Sequence, residues 1–353
     1  MTNTLPEPAN YQKLTISKIR EEIPGFKTFT FAEENTANLN YEAGQYLTLV
    51  KQTAAGEIRR SYSITSAPTL SEPLTIGVKR VVNGIFSRFL VDEAQPGDEL
   101  LVSGTGGFFV LPPTVSEVGQ LFFLAAGSGI TPVFSLLKTA LVAYPELPVV
   151  LIYSNASPEK TIFRQELLAL AARYPDRLQI GFLFSNSPDL SRARLYKGLL
   201  QELVKEHARV PPQKILAYVC GPENYMRMCT YGLHLSGIPL ENIRKENFST
   251  QKVNQKIAPP DTDAHEVFLQ LKDRHFRFTS QYPETILQAA RKAGLNFPYS
   301  CEAGRCGNCA IKCTSGTVWM SYNEVLTERD LEKGLVLTCT GFPVGGDVRL
   351  ELS

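Results

Sequence analysis

Apolar and polar residues alternate in short runs through the first third of the chain. In "QYLTLVKQ", "RRSYSITSA", "LTIGVKRV" and "DELLVSG" apolar positions recur at a spacing of two, and Gly or Pro separates the runs. A period of two marks half-buried strands, so residues 10–113 predict an antiparallel β-barrel. Beyond it the pattern changes. Solid apolar runs, "LFFLAAG", "PVVLIYS", "LQIGFLFS" and "ILAYVCG", alternate with helical ones, "TPVFSLLKTALVAY", "TIFRQELLALAARY" and "NYMRMCTYGLHLSG". Strand–helix alternation predicts a parallel sheet covered on both faces, an α/β domain over 114–248.

A polar stretch, "STQKVNQKIAPPDTDAH", offers little to bury, and 249–264 reads as a tether. The last segment, 265–353, predicts strands at "HEVFLQLK" and "RHFRFTS", a helix at "TILQAARKAG", and closing strands near "LVLTC" and "DVRLEL". A chain of 353 residues accommodates this multidomain plan, each domain burying its own core.

Charge narrows the functional classes. With 36 basic and 35 acidic residues and no basic run, nucleic-acid binding by bulk electrostatics is not expected. The opening "MTNTLPEPANYQKL" has no cationic segment followed by an apolar core, so no signal peptide is read there. The most apolar stretch, "LFFLAAGSGITPVFSLL", is interrupted by Gly127, Gly129 and Pro132 and is too short to span a bilayer. A cytoplasmic location without membrane attachment is the expectation, and lasting disulfides are rare there.

That bears on "FPYSCEAGRCGNCAIKCTSG", residues 297–316, which holds four of the seven cysteines. A disulfide knot, a zinc site and an iron–sulfur cluster compete for it. Cys301, Cys306 and Cys309 form C-x4-C-x2-C, with Cys339 supplied from afar in "LVLTCTGFP". This is the ligand spacing of a plant-type [2Fe–2S] cluster. Structural zinc sites usually carry two C-x2-C pairs, and only one exists here. Gly304 and Gly307, lacking a Cβ, let backbone N–H groups turn toward sulfur. Cys313 is surplus to the set and reads as a small apolar residue on the strand leaving the loop.

Other motifs are weaker singly. Arg60 and Tyr62 share a face of one strand in "RRSYSITSAP", next to Ser63; an exposed strand with a half-buried aromatic fits equally well. In "VKRVVNGIFSRFL", Gly84 and Ser87 precede a helix, which suits a phosphate site or an ordinary N-cap. "LAAGSGITPVFSLL" sets Gly127 and Gly129 between strand and helix like a dinucleotide-binding turn, with Pro132 where a third glycine would stand. "YVCGPENYM" places Cys220, Gly221 and Pro222 at a strand's carboxyl end, where open α/β sheets bind ligands.

Taken in order, these features resemble the ferredoxin–NADP reductase superfamily over nearly the whole chain. More narrowly they are similar to reductase components with a C-terminal plant-type ferredoxin domain. "ENFST" and "GTVWMSYNEVLTERDLEKGLVLTC" resemble the subfamily that serves phenylacetyl-CoA epoxidases. The resemblance implies FAD, a [2Fe–2S] cluster and NADPH or NADH as cofactors, and a β-grasp fold for the ferredoxin domain. It implies that Arg60 binds the flavin pyrophosphate, Tyr62 stacks on the isoalloxazine and Ser63 lies near its N5, with Ile64, Val78, Lys79 and Phe86 as further contacts. Gly84 and Ser87 would cap the pyrophosphate, and Phe248 would cover the other flavin face. Gly127, Ser128, Gly129, Ile130, Thr131 and Pro132 would cradle the nicotinamide nucleotide with Gly221 and Pro222. Ser63, Cys220 and Glu246 would be the catalytic residues, Cys220 lying beside the nicotinamide C4.

The implied activity is electron transfer from NAD(P)H through FAD and [2Fe–2S] to a protein acceptor, an oxygenase component. The acceptor is a di-iron epoxidase or, alternatively, a Rieske ring-hydroxylating or steroid-hydroxylating oxygenase. A non-catalytic electron carrier or redox sensor is the rival of another class, and NAD(P)H-dependent reduction of cytochrome c separates them. For the nucleotide, Lys160, Arg192, Arg194 and Lys197 in the loops "SNASPEKT" and "SNSPDLSRARLYKG" are candidates for a 2′-phosphate, which favours NADPH slightly. From His265 onward ten basic and ten acidic side chains balance, and Arg305 falls in the cluster loop at the expected electron exit, so charge-steered docking is not expected.

Overall fold

The structure, a computed structural model, describes residues 11–53, 56–251, 257–271, 273–295 and 297–352. It divides into two compact units, Gln12–Asn247 and a C-terminal unit from Phe248 onward. The described residues form three sheets.

The first sheet contains β1 (Gln12–Ile23), β2 (Phe26–Phe31), β3 (Tyr46–Thr53), β4 (Gly56–Ser63), β5 (Thr75–Lys79) and β6 (Glu99–Gly106), in the order β4-β3-β6-β1-β2-β5. Every pairing is antiparallel, and a bridge between Ile64 and Ile76 joins the two ends into a barrel. Alternation does the folding here. Leu14 and Ile16 of β1, Leu47 and Leu49 of β3, and Ile76 and Val78 of β5 point into one core.

Next come β7 (Gln120–Ala126), β8 (Val149–Asn155), β9 (Leu178–Phe184), β10 (Ile215–Cys220) and β11 (Ile243–Glu246). They form an all-parallel sheet in the order β11-β10-β7-β8-β9. Two cores explain the unbroken apolar runs. Leu121 and Phe123 face the helix Ile130–Ala143, while Phe122 and Leu124 face Lys197–His207 and Glu223–Leu235. The helix Lys197–His207 and the strand β11 go beyond the elements the pattern predicts. Leu199, Leu200, Leu203 and Val204 give that helix its apolar stripe, a signal present in the sequence at helical spacing. From β7 the chain builds outward to β9, then returns to add β10 and β11 on the other side, so order reverses between β7 and β10.

The C-terminal unit holds β12 (His265–Leu271), β13 (Arg274–Ser280), β14 (Ala310–Met320), β15 (Leu335–Leu337) and β16 (Gly341–Leu352), ordered β13-β12-β16-β14-β15. Only β12 and β16 run parallel, and the helix Ile286–Lys292 buries Ile286, Leu287, Ala289 and Ala290 beneath the sheet, a β-grasp arrangement. Thr285 and Gln288 close a capping box at its start. The chain leaving the cysteine loop forms all of β14, and β16 begins six residues before the expected "DVRLEL".

Part of the expected tether, 252–256, lies outside the described residues. Its end is not loose: the Asp261 carboxylate accepts from Gly345 N (2.6 Å) and Asp263 N (2.8 Å) and shares a 2.6 Å hydrogen bond with His265 Nε2. Hydrogen bonds from Asp263, Gly345 and His265 hold that carboxyl at about 2, below its ordinary value. No described helix is long and apolar enough to cross a membrane.

Candidate functional site

β4 carries Arg60 and Tyr62 on one face and the buried Arg59, ion-paired with Glu57 at 2.6 Å, on the other. The exposed Arg60 guanidinium donates back to the Arg59 carbonyl at 2.7 Å, which holds it along the strand. Tyr62 meets Phe86 edge to face with centroids 6.2 Å apart, and burial pushes its phenol well above the ordinary range, so the ring is neutral. Ser63 and Ile64 follow, both buried. On β5, Val78 is buried and Lys79 exposed.

One expectation needs correction at the following turn. Ser87 does not precede the helix Ile85–Arg88; it is its third residue. Its hydroxyl accepts from Val81 N (3.2 Å) and donates to Gly84 O (3.3 Å), so it braces the turn from within. Gly84 is the N-cap and supplies no side chain, which leaves the first N–H groups of that turn without a side-chain cap. Val81, Val82 and Ile85 around it are 55%, 76% and 64% exposed, apolar surface suited to a flat ring system.

The nucleotide turn sits where strand order reverses, between the carboxyl ends of β7 and β10. Gly127 has φ +54° and its carbonyl accepts from the Tyr153 hydroxyl at 3.0 Å. A Cβ on Gly129 would stand 2.1 Å from the Cys220 carbonyl oxygen and 2.9 Å from Gly221 N. The two turns read separately in the sequence, 127–132 and 220–222, therefore touch backbone to backbone. Thr131 donates to the Ser128 carbonyl at 2.9 Å. Ile130 and Pro132 are buried in the first helical turn, where a missing N–H costs nothing. This glycine-lined turn fits a dinucleotide, whose pyrophosphate needs a close approach to backbone.

Cys220 and Glu246 meet at the same edge as register partners of β10 and β11. Cys220 has no exposed surface, and burial raises its thiol well above the ordinary value, the more so where Glu246 is ionised. Burial also raises Glu246 to about 8, and its Oε2 has no hydrogen-bond partner among the described residues. An orphaned, neutral carboxyl beside a protonated thiol marks a polar spot suited to a ligand. Phe248, two residues on, is 47% exposed and falls with the C-terminal unit.

In the C-terminal unit the four predicted ligands gather as two pairs. Each influences the others' protons, Cys301 most strongly with Cys306 and Cys309 most strongly with Cys339. The Cys306 side chain, with backbone N–H groups of Arg305, Ala303 and Cys306, brings the Cys301 thiol down to about 6, toward the thiolate that binds metal. Among the described residues no three His, Cys, Asp or Glu side chains converge as ligands of a single ion. Three thiols on one loop and a fourth from afar fit the [2Fe–2S] cluster that the C-x4-C-x2-C spacing predicts. No disulfide joins the seven cysteines. Glu302, Gly304 and Gly307 take φ of +51°, +71° and +78°, the left-handed turns that fold the loop around the pairs. Cys313 lies apart on β14, its thiol donating to the Ser315 carbonyl at 3.4 Å.

Arg305 corrects a second expectation. It is 6% exposed, 3.4 Å from Glu324 and over the Tyr322 ring, so it presents no charge at an exit surface.

Comparison with known proteins agrees domain by domain. Family models match for an oxidoreductase FAD-binding domain over residues 13–110, an oxidoreductase NAD-binding domain over 123–230 and a 2Fe-2S iron-sulfur cluster binding domain over 269–344. The ferredoxin reductase component of 3-ketosteroid-9-alpha-monooxygenase from Mycolicibacterium smegmatis is 32% identical, covering 98% of each chain. One of the subunits of 1,2-phenylacetyl-CoA epoxidase from Escherichia coli is 32% identical, covering 97% of each. Among solved structures, phthalate dioxygenase reductase superposes with a TM-score of 0.60 over 99% of this chain and all of that one, at 24% identity, a likeness of fold.

Proposed function

The chain belongs to the ferredoxin–NADP reductase-like oxidoreductases that join FAD-binding, NAD-binding and [2Fe–2S] domains, and we propose that it is the reductase component of a multicomponent oxygenase. The observation that carries the proposal is the junction of Gly129 with Cys220, which assembles the nucleotide cradle beside Glu246, in a chain that also holds two cysteine pairs. Bound here, a nicotinamide, FAD and the cluster would supply hydride chemistry, division of the electron pair and one-electron transfer.

The protein's own part is placement. Gly127, Gly129 and Gly221 admit the pyrophosphate to the start of the helix Ile130–Ala143. Arg60 and the uncapped turn at Gly84 hold the flavin phosphates, and Tyr62 offers its ring to the isoalloxazine. Ser63 orients the flavin N5 edge. Cys220, kept protonated, packs against the nicotinamide, and Glu246, neutral near pH 7, donates a hydrogen bond to it. Cys301, Cys306, Cys309 and Cys339 would hold the cluster. The segment 249–264 would act as a tether that raises the effective concentration of the cluster domain near the flavin.

The test uses the purified full chain. It should contain one FAD and two irons and reduce cytochrome c with NAD(P)H; zinc in place of iron would overturn the cluster reading. Reconstitution with a di-iron phenylacetyl-CoA epoxidase and with a steroid-hydroxylating Rieske oxygenase then chooses the acceptor. The second reading is kept because relatives serving the two are equally similar.

A further inference from the structure

The helix that starts at the nucleotide turn is fastened along its length to the barrel segment that continues from β4. Ser135 Oγ donates to the Ser66 carbonyl at 2.6 Å, fully buried, and Ser66 Oγ in turn hydrogen-bonds the Tyr41 hydroxyl at 2.9 Å. One turn further, Lys138 Nζ forms an ion pair with Glu72 Oε2, which also accepts from Ala67 N at 2.8 Å. The Lys138 side chain is only 9% exposed and its ammonium lies 4.5 Å from the centroid of Phe134. Phe134 stacks at 4.4 Å on Phe163, which meets the barrel's Phe26 edge to face at 6.1 Å. Phe163 has φ +57°, a conformation costly for an aromatic residue that persists only where surroundings impose it.

A buried lysine is a poor way to gain stability alone, since taking its charge out of water is costly. It is a good way to specify one geometry, and its place matters: residues 66–72 follow Tyr62, Ser63 and Ile64, and Lys138 follows Gly127–Pro132 on one helix. We propose that Lys138 is a positioning residue for hydride transfer, its pairing with Glu72 setting how closely the nucleotide helix holds the nicotinamide to the flavin. This rests on the assignment of flavin and nucleotide sites made above.

The experiment is anaerobic stopped-flow reduction of the flavin by NADPH and NADH in the full-chain holoenzyme, for wild type, K138M, K138R and E72Q. Met keeps the packing over Phe134 and removes the charge. K138M and E72Q should lower the limiting rate at saturating nucleotide by about tenfold or more, since near-ångström misplacement costs on this scale. Nucleotide affinity should change little, the nicotinamide–flavin charge-transfer absorbance should weaken, and K138R should recover most of the rate. Variants that melt earlier but keep the wild-type limiting rate and charge-transfer band would overturn the proposal, leaving Lys138 a structural residue. If K138M does not fold, E72Q decides alone, because Glu72 is one-third exposed. Wild-type flavin that neither nucleotide reduces would overturn the functional reading itself and this proposal with it.

Discussion

Cys220 and Glu246 face each other across two parallel strands, paired in register at the carboxyl edge of the sheet, both buried and both shifted toward their protonated forms. For Glu246 this carries a pH signature. Its folded value is about 8 against an ordinary 4.5, so in that interval the folded protein keeps a proton that the unfolded chain has lost. Stability from this site is complete below 4.5 and falls as pH rises through 8. Gln cannot ionise, so the melting temperature of E246Q should gain on wild type from pH 5 to about pH 8 and then level off. A difference independent of pH would contradict the burial argument.

Gly129→Ala should damage the nucleotide site selectively. The new Cβ meets the Cys220 carbonyl at 2.1 Å, backbone that cannot swing aside. A loss of about 1–3 kcal/mol in stability is expected from such overpacking. Nucleotide titration should show affinity reduced at least tenfold, with FAD content unchanged; undisturbed nucleotide binding would refute the contact.

The cysteine pairs separate two substitutions. Cys339→Ser should lose the cluster yet keep NAD(P)H reduction of the flavin, which lies upstream. Cys313→Ser should keep full iron, because its thiol is engaged with Ser315 away from both pairs. Iron content and the visible absorbance of the cluster give the answer, and iron loss in the second variant would show a miscounted ligand set.

Docking to the acceptor should depend weakly on salt. The ferredoxin segment balances ten basic against ten acidic side chains, and Arg305 is neutralised beside Glu324. A stopped-flow transfer rate that drops by about tenfold or more between low and physiological salt would mean that electrostatic steering does operate.

NADPH should be preferred modestly in kcat/KM. Arg192 is engaged by Glu206 at 3.3 Å and Lys197 lies 5.9 Å from the Tyr231 ring, whereas Lys160 and Arg194 stand exposed after β8 and β9. Arg194→Ala should narrow the ratio and Arg192→Ala should leave it; equal use of both nucleotides by wild type would remove the preference.

Domain order, the barrel, the parallel sheet and the presence of a 2Fe-2S domain are readable from the chain, because each is a local record. Alternation records which face of a strand is buried, an unbroken apolar run records burial on both faces, and C-x4-C-x2-C records a loop wrapped around metal. Partner choice over distance is not recorded that way. The approach of Cys339 to Cys309 follows from the return of the chain through β15, and the meeting of Gly129 with Cys220 from strand order. Ser87 reads as a cap because its neighbours are cap-like, yet the helix already begins at Ile85. Arg305 reads as a charge at the electron exit, and only the fold brings Glu324 to it. The Lys138–Glu72 pair joins residues 66 positions apart, whose attraction exists only once barrel and sheet have closed on each other and water has left the space between them.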